Sequence, residues 1–232
     1  MGEGDLLIAA IRDGLAAAAD PNRAPRMQAY MKSSLPYRGV TSPNNKPIFR
    51  QAIEAHPLPD AAAWADAVRR LFNQAAYREE RYGAIAVLDH RLYRDHRTPA
   101  ALPLYEELIV AGAWWDVVDE VATGALRDLV SAHPVEMGRA MREWSASPDL
   151  WKRRSSIICQ VGRGRSIDLR LLYDCIEPNL ADRDFFIRKA IGWSLRDHAW
   201  VDPDEVVRYV ALNESRLSGL SRREALKNVK RQ

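Results

Sequence analysis

Apolar residues recur at three- and four-residue spacing along nearly the whole chain, in segments of about 10 to 15 residues that read as amphipathic helices. No stretch alternates apolar and polar positions for long enough to make a strand. The pattern predicts an all-α protein. Its helices are separated by short Pro, Gly, Asn and Asp breaks: Asp20-Pro21-Asn22, Ser42-Pro43-Asn44-Asn45, His56-Pro57-Leu58-Pro59-Asp60, Thr98-Pro99, His133-Pro134, Ser147-Pro148-Asp149, Glu177-Pro178-Asn179 and Asp202-Pro203-Asp204. Most put proline where a first helical turn tolerates it, with Ser, Asp or Asn nearby to cap. The chain reads as a string of helical hairpins.

Self-comparison adds a period. Trp115-Asp116-Val117-Val118-Asp119, Trp151-Lys152-Arg153-Arg154-Ser155 and Phe186-Ile187-Arg188-Lys189-Ala190 each start with an aromatic, at offsets of 36 and 35 residues, and Ser221-Arg222-Arg223-Glu224-Ala225 follows another 35 on. A period near this length belongs to two-helix solenoid repeats, whose hairpins bury their apolar sides only by stacking. The expectation is one repeat domain over residues 1–232, with equivalent positions aligned along one surface. That row would carry Trp115, Asp119, Trp151, Arg154, Lys189 and Arg223, an aromatic and cationic stripe with one carboxylate.

Charge sharpens the picture. The chain of 232 residues has a net charge of only +3, but residues 136–232 hold 19 Lys and Arg against 14 Asp and Glu, while residues 1–135 hold 15 against 17. Basic side chains release counterions from a phosphate backbone, and aromatic rings offer flat faces to sugars, bases or cations. Solvated helix faces are the plainer reading of any one cluster. The two cysteines, Cys159 and Cys175, have no CxxC or metal-like spacing, which fits a reducing, cytoplasmic setting without a disulfide framework or zinc. The N-terminal residues do not resemble a signal peptide, and no apolar run approaches the roughly 20 residues needed to span a bilayer. The five histidines show no paired ligand spacing. No metal and no cofactor is expected.

Two segments stand out chemically. In Ala113-Trp114-Trp115-Asp116-Val117-Val118-Asp119, Trp115 and Asp119 are four apart and share a helix face, beside a buried side built by Val117, Val118 and Val121. Either the pair projects together from the edge of the core, or both tryptophans are core and the aspartates are caps or surface groups; Asp116 suits a capping role near the helix start. In Phe186–Arg196, Ile187, Ile191 and Leu195 form the apolar stripe, and Trp193 lies off it between Lys189 and Arg196. Gly192 permits close approach of a ligand or of another helix. The run Gly162-Arg163-Gly164-Arg165-Ser166 is either an ordinary loop or a phosphate clamp.

The strings Leu-Pro-Leu-Tyr-Glu-Glu-Leu-Ile-Val (102–110), Trp-Trp-Asp-Val-Val-Asp (114–119), Trp-Lys-Arg-Arg-Ser-Ser-Ile (151–157), Phe-Phe-Ile-Arg-Lys-Ala-Ile-Gly-Trp-Ser-Leu-Arg (185–196) and Leu-Ser-Arg-Arg-Glu-Ala-Leu-Lys (220–227) resemble the DNA alkylation repair family typified by AlkD. Tyr30-Met31-Lys32 and Gly39-Val40-Thr41-Ser42-Pro43 are similar to its N-terminal pattern. The resemblance implies an all-α, HEAT-like helical-repeat solenoid with a concave, basic DNA-binding face. It implies a DNA glycosylase acting on double-stranded DNA containing alkylated bases; no lysine is placed as a Schiff-base nucleophile, so the expected enzyme is monofunctional, and a capped solenoid with a DNA cleft can work as a monomer. Such enzymes release cationic purines such as 7-methylguanine and 3-methyladenine, and bulky N3 or N7 adducts in some relatives, without flipping the base into a pocket. Asp119, Trp115 and Trp193 then match the catalytic cleft, Arg154 a residue engaging the DNA backbone, and Tyr30 the cleft wall. Lys189, Arg196, Arg223 and Lys227 complete the candidate DNA-binding set. A non-catalytic binder of DNA structures, or a protein scaffold, is the alternative from another class.

Overall fold

Every break marked by the proline and aspartate pattern falls at a helix end. In chain order the helices are α1 (Glu3–Ala17), α2 (Ala24–Met31), α3 (Ser42–Ala55), α4 (Ala61–Asn73), α5 (Arg78–Asp89), α6 (Leu102–Gly112), α7 (Trp115–Thr123), α8 (Ala125–Ala132), α9 (Pro134–Ser145), α10 (Leu150–Ile158), α11 (Leu169–Ile176), α12 (Phe185–His198), α13 (Pro203–Leu212) and α14 (Gly219–Ala225). This computed structural model describes residues 2–229, and among the described residues there is no strand. Capping follows the sequence signals at Asp60, Asp149 and Asp202, and Asp184 adds a cap the sequence pattern did not mark. Asp60 accepts from the Ala63 N–H, Asp149 from Trp151 and Lys152, Asp184 from Phe186 and Ile187, and Asp202 from Glu205. Each cap satisfies amides that a helix start leaves without partners.

The chain divides into two compact units, Met1–Leu104 and Tyr105–Gln232. In the first, α1 packs on α3, α4 and α5, burying Leu7, Ile11, Phe49, Ile53, Trp64, Leu71 and Leu88. Glu79 on α5 is wholly buried. Its carboxylate accepts the backbone N–H groups of Arg38 (3.0 Å), Gly39 (2.9 Å) and Val40 (3.1 Å), which fixes the loop ahead of α3. Gly39 has φ +85°, and a Cβ there would lie 2.2 Å from the Asp20 carbonyl oxygen. Left-handed backbone costs a non-glycine residue about 1–3 kcal/mol, and this contact is with main chain, which cannot swing aside. Gly39→Ala is therefore expected to lower the stability of the protein by about 2 kcal/mol in urea unfolding; an unchanged midpoint would show that the loop does not keep this conformation.

In the second unit α7, α10, α12 and α14 pack one on the next, while α9 lies against α8, α10 and α11. The four successive helices begin at Trp115, Leu150, Phe185 and Gly219, so the period of the sequence is the period of the fold. Each presents a short apolar stripe inward: Val117, Val118 and Val121, then Ile157 and Ile158, then Ile187, Ile191 and Leu195, then Ala225. Polar staples bind neighbours about one period apart. The Ser194 hydroxyl donates to the Ile157 carbonyl at 2.9 Å, Asn179 to Ser145 at 2.8 Å, and Ser221 to Arg188 at 3.0 Å. Cys159 and Cys175 are both buried and free. Among the described residues no helix is long and apolar enough to cross a membrane.

Candidate active site

Ala113, at φ +39°, turns the chain just before α7, so that Trp114 caps the helix and Trp115 opens it. This small change of register separates the two tryptophans. Trp114 stacks inward, its ring 5.5 Å from Phe186 and 6.3 Å from Trp151, with Trp151 and Phe186 4.9 Å apart. Aromatic pairs at these separations add to the stabilisation from burial. The aromatic row is thus Trp114, Trp151 and Phe186, and it is a packing cluster. Trp151, placed in the surface stripe by the sequence period, is buried. Trp115 stays half-buried at the edge, one turn before Asp119, and Asp116 accepts from the Val117 N–H at 2.9 Å as a helix-start group should.

Asp119 faces the next helix of the row. Arg154 on α10 grips it in a two-pronged pair, Nε to Oδ1 and Nη2 to Oδ2, each 2.7 Å, and Arg154 Nη1 donates to the Phe186 carbonyl on α12 at 2.6 Å. Three successive helices thus meet at one guanidinium. The Arg154 side chain is only 6% exposed against 18% for Asp119, so the carboxylate is the member of the pair that solvent reaches. The guanidinium stands behind Asp119, with three of its five N–H donors given to protein acceptors. Burial pushes the Asp119 carboxyl above the ordinary aspartate value, outweighing the hydrogen bond and charge of Arg154 that pull it down; the nearby Asp116 adds a little to the rise. A carboxylate has about four lone-pair sites, and Arg154 uses two.

Trp193 on α12 is half-buried and lies off the stripe of Ile187, Ile191 and Leu195, all fully buried, as its position in the sequence implied. Its flanking cations are not free. Lys189 lies 3.1 Å from Glu224 Oε1, and Arg196 also bonds to Glu224, through Oε2. Burial alone would raise the Glu224 carboxyl, but Lys189 and Arg196 together hold it below the ordinary glutamate value. Gly192 permits this: a Cβ there would come 2.5 Å from the Glu224 Cβ and 3.1 Å from the Ser221 carbonyl oxygen. Of the two purposes open for that glycine, close helix packing is the one the structure shows. Glu224 was missed in the sequence, although it stands 35 residues after Lys189, as Lys189 stands 35 after Arg154 and Arg154 35 after Asp119. Counted from the helix starts, Arg223 is the fifth residue of α14 as Lys189 is of α12, and it is the next residue, Glu224, that meets Lys189.

Other basic clusters are similarly neutralised. Lys152 pairs with Glu106 at 2.6 Å and Arg153 with Asp182 at 3.2 Å, and Arg222 pairs with Glu214 at 2.8 Å. Arg223 and Lys227 stay exposed and make no ion pair among the described residues. The loop from Gly162 to Ser166 uses positive φ at Gly162 and Gly164, and the Gly162 N–H donates to Asp197 at 2.8 Å. Tyr30 lies in the first unit, on α2, and is 74% exposed beside Arg26. Lys230, in the basic C-terminal run, falls outside the described residues.

The model of the DNA alkylation repair enzyme family matches residues 11–229. This chain belongs to that family. A solved structure described as a predicted DNA alkylation repair enzyme from Enterococcus faecalis superimposes with a TM-score of 0.80 at 26% identity, covering 92% of this chain and 98% of that one. No curated protein matches. Membership of the DNA alkylation repair family makes DNA the substrate and places the all-helical architecture among the helical-repeat folds of these enzymes.

Proposed function

We propose that this DNA alkylation repair protein is a monofunctional glycosylase, hydrolysing the bond between deoxyribose and a cationic alkylpurine in duplex DNA and leaving an abasic site. The observation that carries the reading is the Asp119–Arg154 pair: a carboxylate anchored at two points, solvent-facing on its remaining side, with the half-buried Trp115 one turn away. A purine methylated at N7 or N3 already bears positive charge, so it leaves without a proton donor, and the cation that develops on the sugar resembles that of glycoside cleavage. A carboxylate about 4 Å from that charge stabilises it by around 4 kcal/mol at an effective dielectric near 20. Asp119 also offers free lone pairs to orient the attacking water. The indole faces of Trp115 and Trp193 favour a cationic over a neutral sugar or base.

In this reading Arg154 positions the carboxylate, Tyr30, Arg223 and Lys227 each contact the DNA directly, and the HEAT-like protein acts as a monomer. In the same reading the enzyme acts without flipping the base, a departure from the general rule for enzymes that do chemistry on a base, and takes bulky N3 or N7 adducts as well as methyl groups. The test is incubation of the purified protein with duplex DNA carrying one 7-methylguanine, with released base and abasic sites measured together. Release of both in equal amounts, without strand breaks, is the expected result. DNA binding without release of any base would overturn the glycosylase assignment and leave a non-catalytic DNA binder.

A further inference from the structure

Repeat-equivalent positions at 35-residue intervals read Asp119, Arg154, Lys189 and Glu224, and the structure resolves them into two ion pairs of different character. Asp119–Arg154 has its cation sealed, with 6% of the arginine side chain exposed. The second cluster is open. Lys189, Arg196 and Glu224 have side chains 34%, 24% and 18% exposed, so solvent and solutes reach both cations. Pairs exposed to this degree hold weakly and exchange partners readily. Lys189 and Arg196 sit four residues before and three after Trp193 on α12, on the tryptophan's own side of the helix. The Glu224 Cβ and Cγ and the Ser221 carbonyl are held close against Gly192, which keeps the Glu224 carboxylate between the two cations.

We infer that Glu224 serves as an internal stand-in for a DNA phosphodiester, occupying Lys189 and Arg196 beside Trp193 until a backbone phosphate displaces it. This rests on the DNA-binding reading above and goes beyond it, because it makes two cations exchangeable and names what they exchange. One carboxylate against two cations leaves the cluster with a single net positive charge. A phosphate approaching Trp193 meets cations already ordered toward it, while the carboxylate limits how tightly undamaged DNA is held. Weak general affinity lets a repair enzyme leave the many unmodified sites it encounters.

The test is the salt dependence of binding to undamaged duplex DNA, measured for the wild type and Glu224→Gln. Each phosphate engaged contributes about 0.9 to the slope of log affinity against log salt. Release of the cations should steepen the slope by about 0.9 to 1.8 and raise affinity at 0.1 M salt on the order of tenfold. Adding Lys189→Gln or Arg196→Gln to Glu224→Gln should each remove part of that gain. Glu136→Gln, at an exposed carboxylate on α9 that makes no ion pair among the described residues, changes net charge equally and should not reproduce it. Thermal unfolding monitors the fold of every variant. An unchanged slope in a folded Glu224→Gln protein, with wild-type binding intact, overturns the inference alone; absence of DNA affinity in both proteins overturns the DNA reading and the inference with it.

Discussion

Replacing Asp119 by Asn is expected to lower single-turnover release of 7-methylguanine by about 10²- to 10³-fold, since about 1.4 kcal/mol of lost transition-state stabilisation corresponds to a factor of ten. The substitution keeps the shape of the side chain and removes its charge. It also places an NH2 group against one prong of the Arg154 fork, where two donors then face each other. A buried guanidinium stripped of its partner costs about 3–5 kcal/mol, so the variant should melt at a lower temperature as well as react more slowly. The two effects separate cleanly. Rates measured well below the variant's melting point, on protein shown to be folded by circular dichroism, report the chemistry. If such protein cleaves at the wild-type rate, Asp119 is a structural partner of Arg154, and the charge stabilising the sugar lies elsewhere.

The pair is only half legible in the sequence. Helix ends were readable because proline and capping aspartates act locally, and Asp60, Asp149 and Asp202 cap helices where their neighbours indicated. The period was readable because stacking repeats must reuse one apolar pattern. Register within the period was less so. A match of aromatics aligned Trp115 with Trp151 and Phe186, yet the left-handed Ala113 delays α7 by one residue and gives that packing place to Trp114. Counting back from the charges would have served better: steps of 35 link Asp119, Arg154, Lys189 and Glu224, and adjacent members of opposite sign do pair.

What no linear pattern exposed was how many cations were already occupied. Lys152, Arg153 and Arg154 read as one basic run, but each points to a different carboxylate, on Glu106, Asp182 and Asp119. The partners lie 46, 29 and 35 residues away, so local charge counting overstates the free positive surface. The same holds for Lys189 and Arg196. The candidate DNA-contact cations that remain exposed, Arg223 and Lys227, are those that make no ion pair among the described residues.

Arg154→Gln should move the pH dependence of base release in a direction fixed by the structure. Burial raises the Asp119 carboxyl, and Arg154 is the main influence lowering it. Because the carboxyl in the folded protein titrates above its unfolded value of 3.8, the fold favours its protonated form. The stabilisation linked to that proton is fully present below 3.8 and is lost as pH rises through the raised value. Catalysis needs the opposite form, so activity should rise through the same pH window, on an acid limb displaced upward from that of a free aspartate. Deleting the guanidinium removes the hydrogen bond and the charge while leaving the burial, so the acid limb should shift further toward neutral pH and a plateau of activity should return above it. Stability should fall by about 3–5 kcal/mol, as for other buried pairs broken on one side, because the carboxylate and the Phe186 carbonyl both lose their donor. A profile taken from pH 5 to 9, corrected for release without enzyme, checks this. Loss of activity by the same factor at every pH would instead place Arg154 on the DNA itself, since a lost phosphate contact does not depend on the protonation of Asp119.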